Sequence, residues 1–139
     1  MSTPEIPVKI NVKTTIDDQE TFELLLFGQY YEKENASFLQ YEEVLEEGSV
    51  RTIVKMAPGQ GLILRSGAVK MRLPFQLNRK MNGSYEMPFG RFETTTTTKS
   101  LMHSYEKGNG FIDILYDFTL QGSPADTYHL VITFQEEIK

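Results

Sequence analysis

The chain has no cysteine, no tryptophan and only two histidines in 139 residues. Disulfide staples, thiolate nucleophiles and thiolate metal ligands are therefore excluded. Long apolar runs are missing as well. The longest, Leu24-Leu25-Leu26-Phe27, is far short of the ~20 residues a spanning helix needs. There is no excess of positive charge. The 14 Lys and Arg stand against 19 Asp and Glu, a net charge of −5, which argues against general affinity for a nucleic acid backbone. Met1-Ser2-Thr3-Pro4-Glu5 carries no basic patch and no apolar stretch follows, so the reading expects no secretory signal, a cytoplasmic location and no membrane partner. An outer-membrane barrel would show the same alternation turned inside out. Charge at Lys9, Lys13, Asp113 and Asp117 on the less apolar faces argues against it.

What is present is alternation with period two, the mark of half-buried strands. Ile6, Val8, Ile10, Val12 and Ile16 share one face, with Lys9, Asn11 and Lys13 on the other. Further strands are read over 22–31, 38–45, 50–57, 62–65, 68–77, 92–101 and 111–121, and in a last segment around Tyr128, Leu130, Ile132 and Phe134. Turn chemistry separates them at Asp17–Glu20, Glu46–Ser49, Pro58–Gly61, Pro88–Gly90 and Gly108–Gly110. Asn82-Gly83 is read as the strongest hairpin corner, since both residues tolerate positive φ. Ser37 to Glu47 is rich in helix formers but is assigned as strand because its neighbours are strands. About nine sequential strands with short links predict one domain over 1–139, an antiparallel meander closing into a barrel of about 8–10 strands. Ile6, Val8, Ile10, Val12, Ile112, Ile114, Tyr116, Phe118, Leu130, Ile132 and Phe134 are its expected inward residues.

Reaction chemistry finds little support. His103 and His129 lack partners at metal-ligand spacing, so no metal is expected. Asp113 and Asp117 share a face but lie roughly 13 Å apart at ~3.3 Å per residue, beyond a glycosidase pair. There is neither a nucleophile elbow nor a phosphate loop. No catalytic residue and no cofactor is assigned. Thr94 to Thr98 reads as a Thr-rich strand. Charge is uneven. Residues 17–47 hold ten acidic residues and one basic, and residues 65–91 hold six basic and one acidic. Such segments are expected to face each other across strands and largely cancel.

Leu39-Gln40-Tyr41-Glu42-Glu43, Arg65-Ser66-Gly67 and Ser84-Tyr85-Glu86-Met87-Pro88-Phe89-Gly90 together resemble the uncharacterised YwiB-like proteins of Gram-positive bacteria. The resemblance runs over nearly the whole chain and implies a lipocalin-like (calycin) barrel in a bacterial protein. Met87 and Phe89 stand where the family pattern has Thr and Tyr, so no polar role at that corner is carried over. The resemblance implies no reaction.

It does select an inward face. Leu39, Tyr41, Glu43 and Leu45 share one side of a strand, as do Ile63 and Arg65. With the resemblance, Arg65 is expected to point into the barrel and pair with Glu43, with Tyr41 or Tyr85 donating a hydrogen bond. These four residues are the candidate ligand-binding set, since a buried guanidinium needs partners and its fork suits a carboxylate or phosphate. The expected function is non-enzymatic binding of a small amphipathic or anionic molecule in the barrel. The alternatives are a protein-interaction module using the charged surface and an enzyme acting on a small molecule. A filled interior would favour the interaction module. Nothing in the sequence sets an oligomeric state.

Overall fold

The computed structural model describes residues 4–137. Ten strands follow in order: β1 (Ile6–Ile16), β2 (Glu20–Lys33), β3 (Ala36–Leu45), β4 (Gly48–Ala57), β5 (Gln60–Gly67), β6 (Lys70–Gln76), β7 (Lys80–Met87), β8 (Gly90–Glu106), β9 (Asn109–Leu120) and β10 (Asp126–Glu136). Each pairs antiparallel with the next, and β1 closes on β10. The result is a closed all-β barrel. The corners explain the short links. Glu34 with Asn35, and Lys107 with Gly108, take positive φ, the turn geometry whose twist matches the flanking strands.

One expected corner is displaced. Asn82 and Gly83 do not turn the chain. They lie inside β7, opposite Thr95 and Thr94 of β8. The turn falls at Leu77–Arg79, where Asn78 has φ 62° and the Arg79 amide donates to the Gln76 carbonyl at 3.0 Å. Gly83 serves close approach instead, because a Cβ there would collide with the Arg72 carbonyl oxygen. The strand count is thus ten rather than nine. Ser37 to Glu47 is strand as read up to Leu45, and Thr94–Thr98 lies in β8.

The expected inward residues face inward. Val8, Ile10, Ile112, Ile114, Tyr116, Leu130, Ile132 and Phe134 are buried in one cluster, with Ile6, Val12 and Phe118 packed against it. The alternation of β8 changes phase at a bulge between Thr98 and Ser100. Thr94, Thr96 and Thr98 are buried before it, and Leu101 and Tyr105 pack on the core after it. One extra residue re-aims a strand in this way. Aromatic stacks fill both ends. Tyr30, Tyr105 and Phe134 meet near one mouth, with 4.3 Å between the Tyr30 and Tyr105 ring centroids. Tyr116, Tyr128, Phe118 and Phe75 meet toward the other. A crevice beside Tyr30, Leu39, His103 and Phe134 measures about 10 Å³, room for one water at most.

Lys9, Arg51, Lys55 and Arg72 lie on exposed outward positions of the wall. Among the described residues no helix is long and apolar enough to cross a membrane.

The wall is zipped unevenly. β2 and β3 pair only from Gly28–Tyr41 to Lys33–Ala36. Beyond that point the facing edges of β2 (20–27) and β3 (42–45) have no strand partner among the described residues. β6 and β7 pair over only three positions, Lys70–Arg72 with Ser84–Glu86.

Candidate functional site

Pairing aligns one lateral row of inward positions: Gly28, Tyr41, Thr52, Arg65, Met71, Tyr85 and Phe92. Glu43 stands two residues beyond Tyr41 on the same face of β3, opposite Val50. The Arg65 Nη2 donates to Glu43 Oε1 at 3.2 Å, across the intervening β4. The two side chains retain only 19% and 16% of their exposure. Contact across a strand is possible because two long side chains lean over Thr52 and Val50, which are short.

Tyr41 joins this cluster. Burial is the main cause that raises its phenol, to about 12; the Glu43 carboxylate also raises it, and the Arg65 guanidinium and the Thr52 hydroxyl pull it back. At neutral pH it is a protonated hydroxyl beside an ion pair. Neither Tyr41 nor Tyr85 donates a hydrogen bond to the pair among the described residues, and Met71 separates Tyr85 from Arg65 along the row. The four candidates are therefore three neighbours and one outlier. The Arg65 Nε is buried there with no hydrogen-bond partner among the described residues.

Beside this cluster the wall splits. Where the β2–β3 pairing ends, a recess of about 300 Å³ is lined by Phe27, Gly28, Gln40, Tyr41, Glu42 and Arg51, among others. Gly28 marks the pinch. A Cβ there would collide with the Gln40 carbonyl oxygen and come within 2.8 Å of Ile10 Cδ1. Past it, Phe22, Leu25 and Phe27 of β2 keep 59, 64 and 64% of their exposure, and Val44 of β3 keeps 85%. In the sequence this apolar run reads as part of a strand over 22–31 and as too short to span a membrane. That one of its edges is unpaired follows from the register.

Charge cancellation across strands is not what the structure shows. The acidic segment occupies β2, β3 and their neighbouring turns, and the basic segment occupies β5 to β7, with β4 between them. Arg65–Glu43 is the one ion pair joining the two among the described residues. Glu42 instead meets Arg51, outside both segments, at 3.2 Å.

His129 faces outward and has a partner that the sequence does not reveal: its Nε2 lies 2.8 Å from Asp113 Oδ1. The two sit diagonally on the β9–β10 hairpin, which only the register discloses. No group of three His, Cys, Asp or Glu suited to a metal occurs among the described residues.

A closed ten-strand antiparallel barrel with a filled interior, one internal ion pair and a split wall defines the class: a small β-barrel protein. The comparisons place it further. The chain belongs to the family described as a domain of unknown function (DUF1934), whose model matches residues 8–132. It is 37% identical over 134 residues to the uncharacterized beta-barrel protein YwiB of Bacillus subtilis (strain 168), with 94% of each chain covered. The crystal structure of the ywiB protein from Bacillus subtilis matches it with a TM-score of 0.89 at 35% identity, over 98% of this chain and 96% of that one. The resemblance read from the Tyr41, Arg65 and Tyr85 segments is thus correct.

Proposed function

We propose that this protein is a non-enzymatic, cytoplasmic binding module that takes its partner on its outer surface, at the split between β2 and β3, rather than inside the barrel. The observation that carries this reading is the filled interior. A ligand enclosed by a barrel needs a cavity of a few hundred Å³. Here Ile10, Leu39, Val54, Ile63, Ile114 and Ile132 occupy the centre, and the crevice beside Tyr30 holds about 10 Å³. The split offers what the centre does not: backbone edge, exposed apolar side chains and a recess.

A second reading rests on Arg65. Its Nε is buried and unpartnered, and a carboxylate or phosphate reaching it through the mouth would satisfy that donor. One experiment separates the two. Native mass spectrometry of the protein purified from its own host is expected to show the bare chain mass. A co-purifying small anion that is lost on Arg65→Met, with folding retained, would overturn the surface reading in favour of the second.

A further inference from the structure

We infer that the open edge of β2, Glu20 to Phe27, accepts an extended segment of a partner protein as an added strand, and that this segment alternates basic with apolar residues. The inference rests on the surface-binding reading above and names its partner class.

The edge is long and undefended. Eight residues span roughly 26 Å at ~3.3 Å per residue, and none is Lys or Pro, the residues that commonly blunt an exposed edge. Nothing in the described residues covers it. At the other gap in the wall, β6 is bridged directly to β8, while the β6-facing edge of β7 (80–83) has no strand partner among the described residues. Thr96 Oγ1 donates to the Pro74 carbonyl at 2.6 Å. The Asn78 amide donates to Thr98 O at 2.9 Å. No comparable bond is found for residues 20–27.

Charge selects the occupant. The rims of the split, residues 17–27 and 42–47, contain eight acidic residues and no basic one. Glu42 and Glu43 are engaged by Arg51 and Arg65, and Glu23 accepts from Asn11 Nδ2 at 2.8 Å. Asp18, Glu20, Glu46 and Glu47 form no ion pair among the described residues. Asp17 and Asp126 crowd each other closely enough that Asp126 holds its proton more tightly than an ordinary carboxyl. A second copy on a two-fold axis would bring two such rims together. A cationic strand relieves them. Alternation follows from the pleat. One face of the incoming strand meets Phe22, Leu24 and Leu26, and the other lies on the outside beside Glu23, Leu25 and Phe27, where the stems of its basic residues cover the two apolar side chains and their charges reach the acidic rims.

The test uses the full chain and two capped decapeptides, one of alternating Lys and Val and one of alternating Glu and Val. The Lys/Val peptide is expected to bind, to slow amide exchange across residues 20–27, and to weaken at least ~tenfold in the double variant Leu25→Lys/Phe27→Lys. The variant Met102→Lys/Phe111→Lys adds the same charge on the outer faces of β8 and β9, where both side chains are exposed, and is expected to leave binding unchanged. Equal loss in both variants, binding of the Glu/Val peptide, or no protection of residues 20–27 would overturn the inference. So would a concentration-dependent dimer protecting the same amides, because the occupant would then be a second copy. Absence of peptide binding defeats this inference alone. A retained small anion in native mass spectrometry defeats the surface reading beneath it.

Discussion

The barrel wall is unzipped in two places, and the two are built differently. At β2/β3 the pairing stops after Gly28–Tyr41, and at β6/β7 it stops after Arg72–Ser84. A glycine stands at each stop, Gly28 in one and Gly83 in the other. Each lets a neighbouring carbonyl approach closer than a Cβ would permit, Gln40 O in the first case and Arg72 O in the second. Beyond the glycines the seams diverge. At β6/β7, Pro74 has no amide hydrogen to offer a ladder, and β6 turns to β8, bridging Leu77 to Thr98. At β2/β3 no such handover occurs, and apolar side chains stay exposed. Interrupted pairing is bridged from β6 to β8 in one place and left as an open edge in the other. What distinguishes them is the fate of the backbone groups.

The largest expected effect concerns the ion pair that flanks the open seam. Glu43→Ala strands a mostly buried guanidinium and is expected to destabilise the fold by ~3–5 kcal/mol. The double variant Glu43→Leu/Arg65→Met removes both charges and is expected to recover most of that loss, since apolar replacements of buried pairs are often neutral. Chemical denaturation of the two variants checks it. If Glu43→Ala costs under ~1 kcal/mol, Arg65 reaches solvent through the split, and the seam is wider than the pairing indicates.

The second prediction asks whether the two glycines are equivalent. Gly83→Ala faces the Arg72 carbonyl, Thr94 Oγ1 at 2.8 Å and Pro74 Cδ at 3.0 Å, obstacles that are mostly rigid. A loss of ~1–3 kcal/mol is expected from overpacking. Gly28→Ala faces the Gln40 carbonyl as well, but its strand is free to shift on the unpaired side. It is expected to cost less than Gly83→Ala in parallel thermal melts. Equal losses would mean that the open seam is as rigid as the bridged one.

Much of this architecture is legible in the sequence, and the reasons are local. Alternation from Ile6 to Ile16 and from Ile112 to Leu120 gives strand identity and facing at once, because the period is two and burial is one-sided. The Tyr41, Glu43 and Arg65 cluster followed from the facing together with the family resemblance. Asn82-Gly83 misled because the same pair that suits a turn also suits a close approach, and only the position of Arg72 O tells them apart. The two seams were not legible. Pairing ends where strands splay, and this depends on neighbours far along the chain. Tyr85 was grouped with Arg65 on the family resemblance, whereas the Met71 that stands between them is set by register.

The smallest expected effect separates three threonines of one stripe. Thr94, Thr96 and Thr98 are all buried on the inward face of β8. Among the described residues, Thr96 donates a hydrogen bond to the Pro74 carbonyl, while the buried hydroxyls of Thr94 and Thr98 have no partner. Valine has nearly the same shape as threonine and lacks the hydroxyl. Thr96→Val therefore leaves the Pro74 carbonyl without its donor at the handover from β6 to β8, and a loss of about 1 kcal/mol is expected. Thr98→Val removes a polar group that gains nothing from its burial, so it is expected to be neutral or slightly stabilising. The sign difference matters more than the size, because both substitutions make the same chemical change on the same face of one strand. Urea denaturation midpoints measured side by side decide it. If Thr96→Val and Thr98→Val shift the midpoint alike, the Thr96 hydroxyl is not what bridges the β6/β7 seam. The contrast with the open edge of β2 then reduces to the Asn78 backbone bond alone.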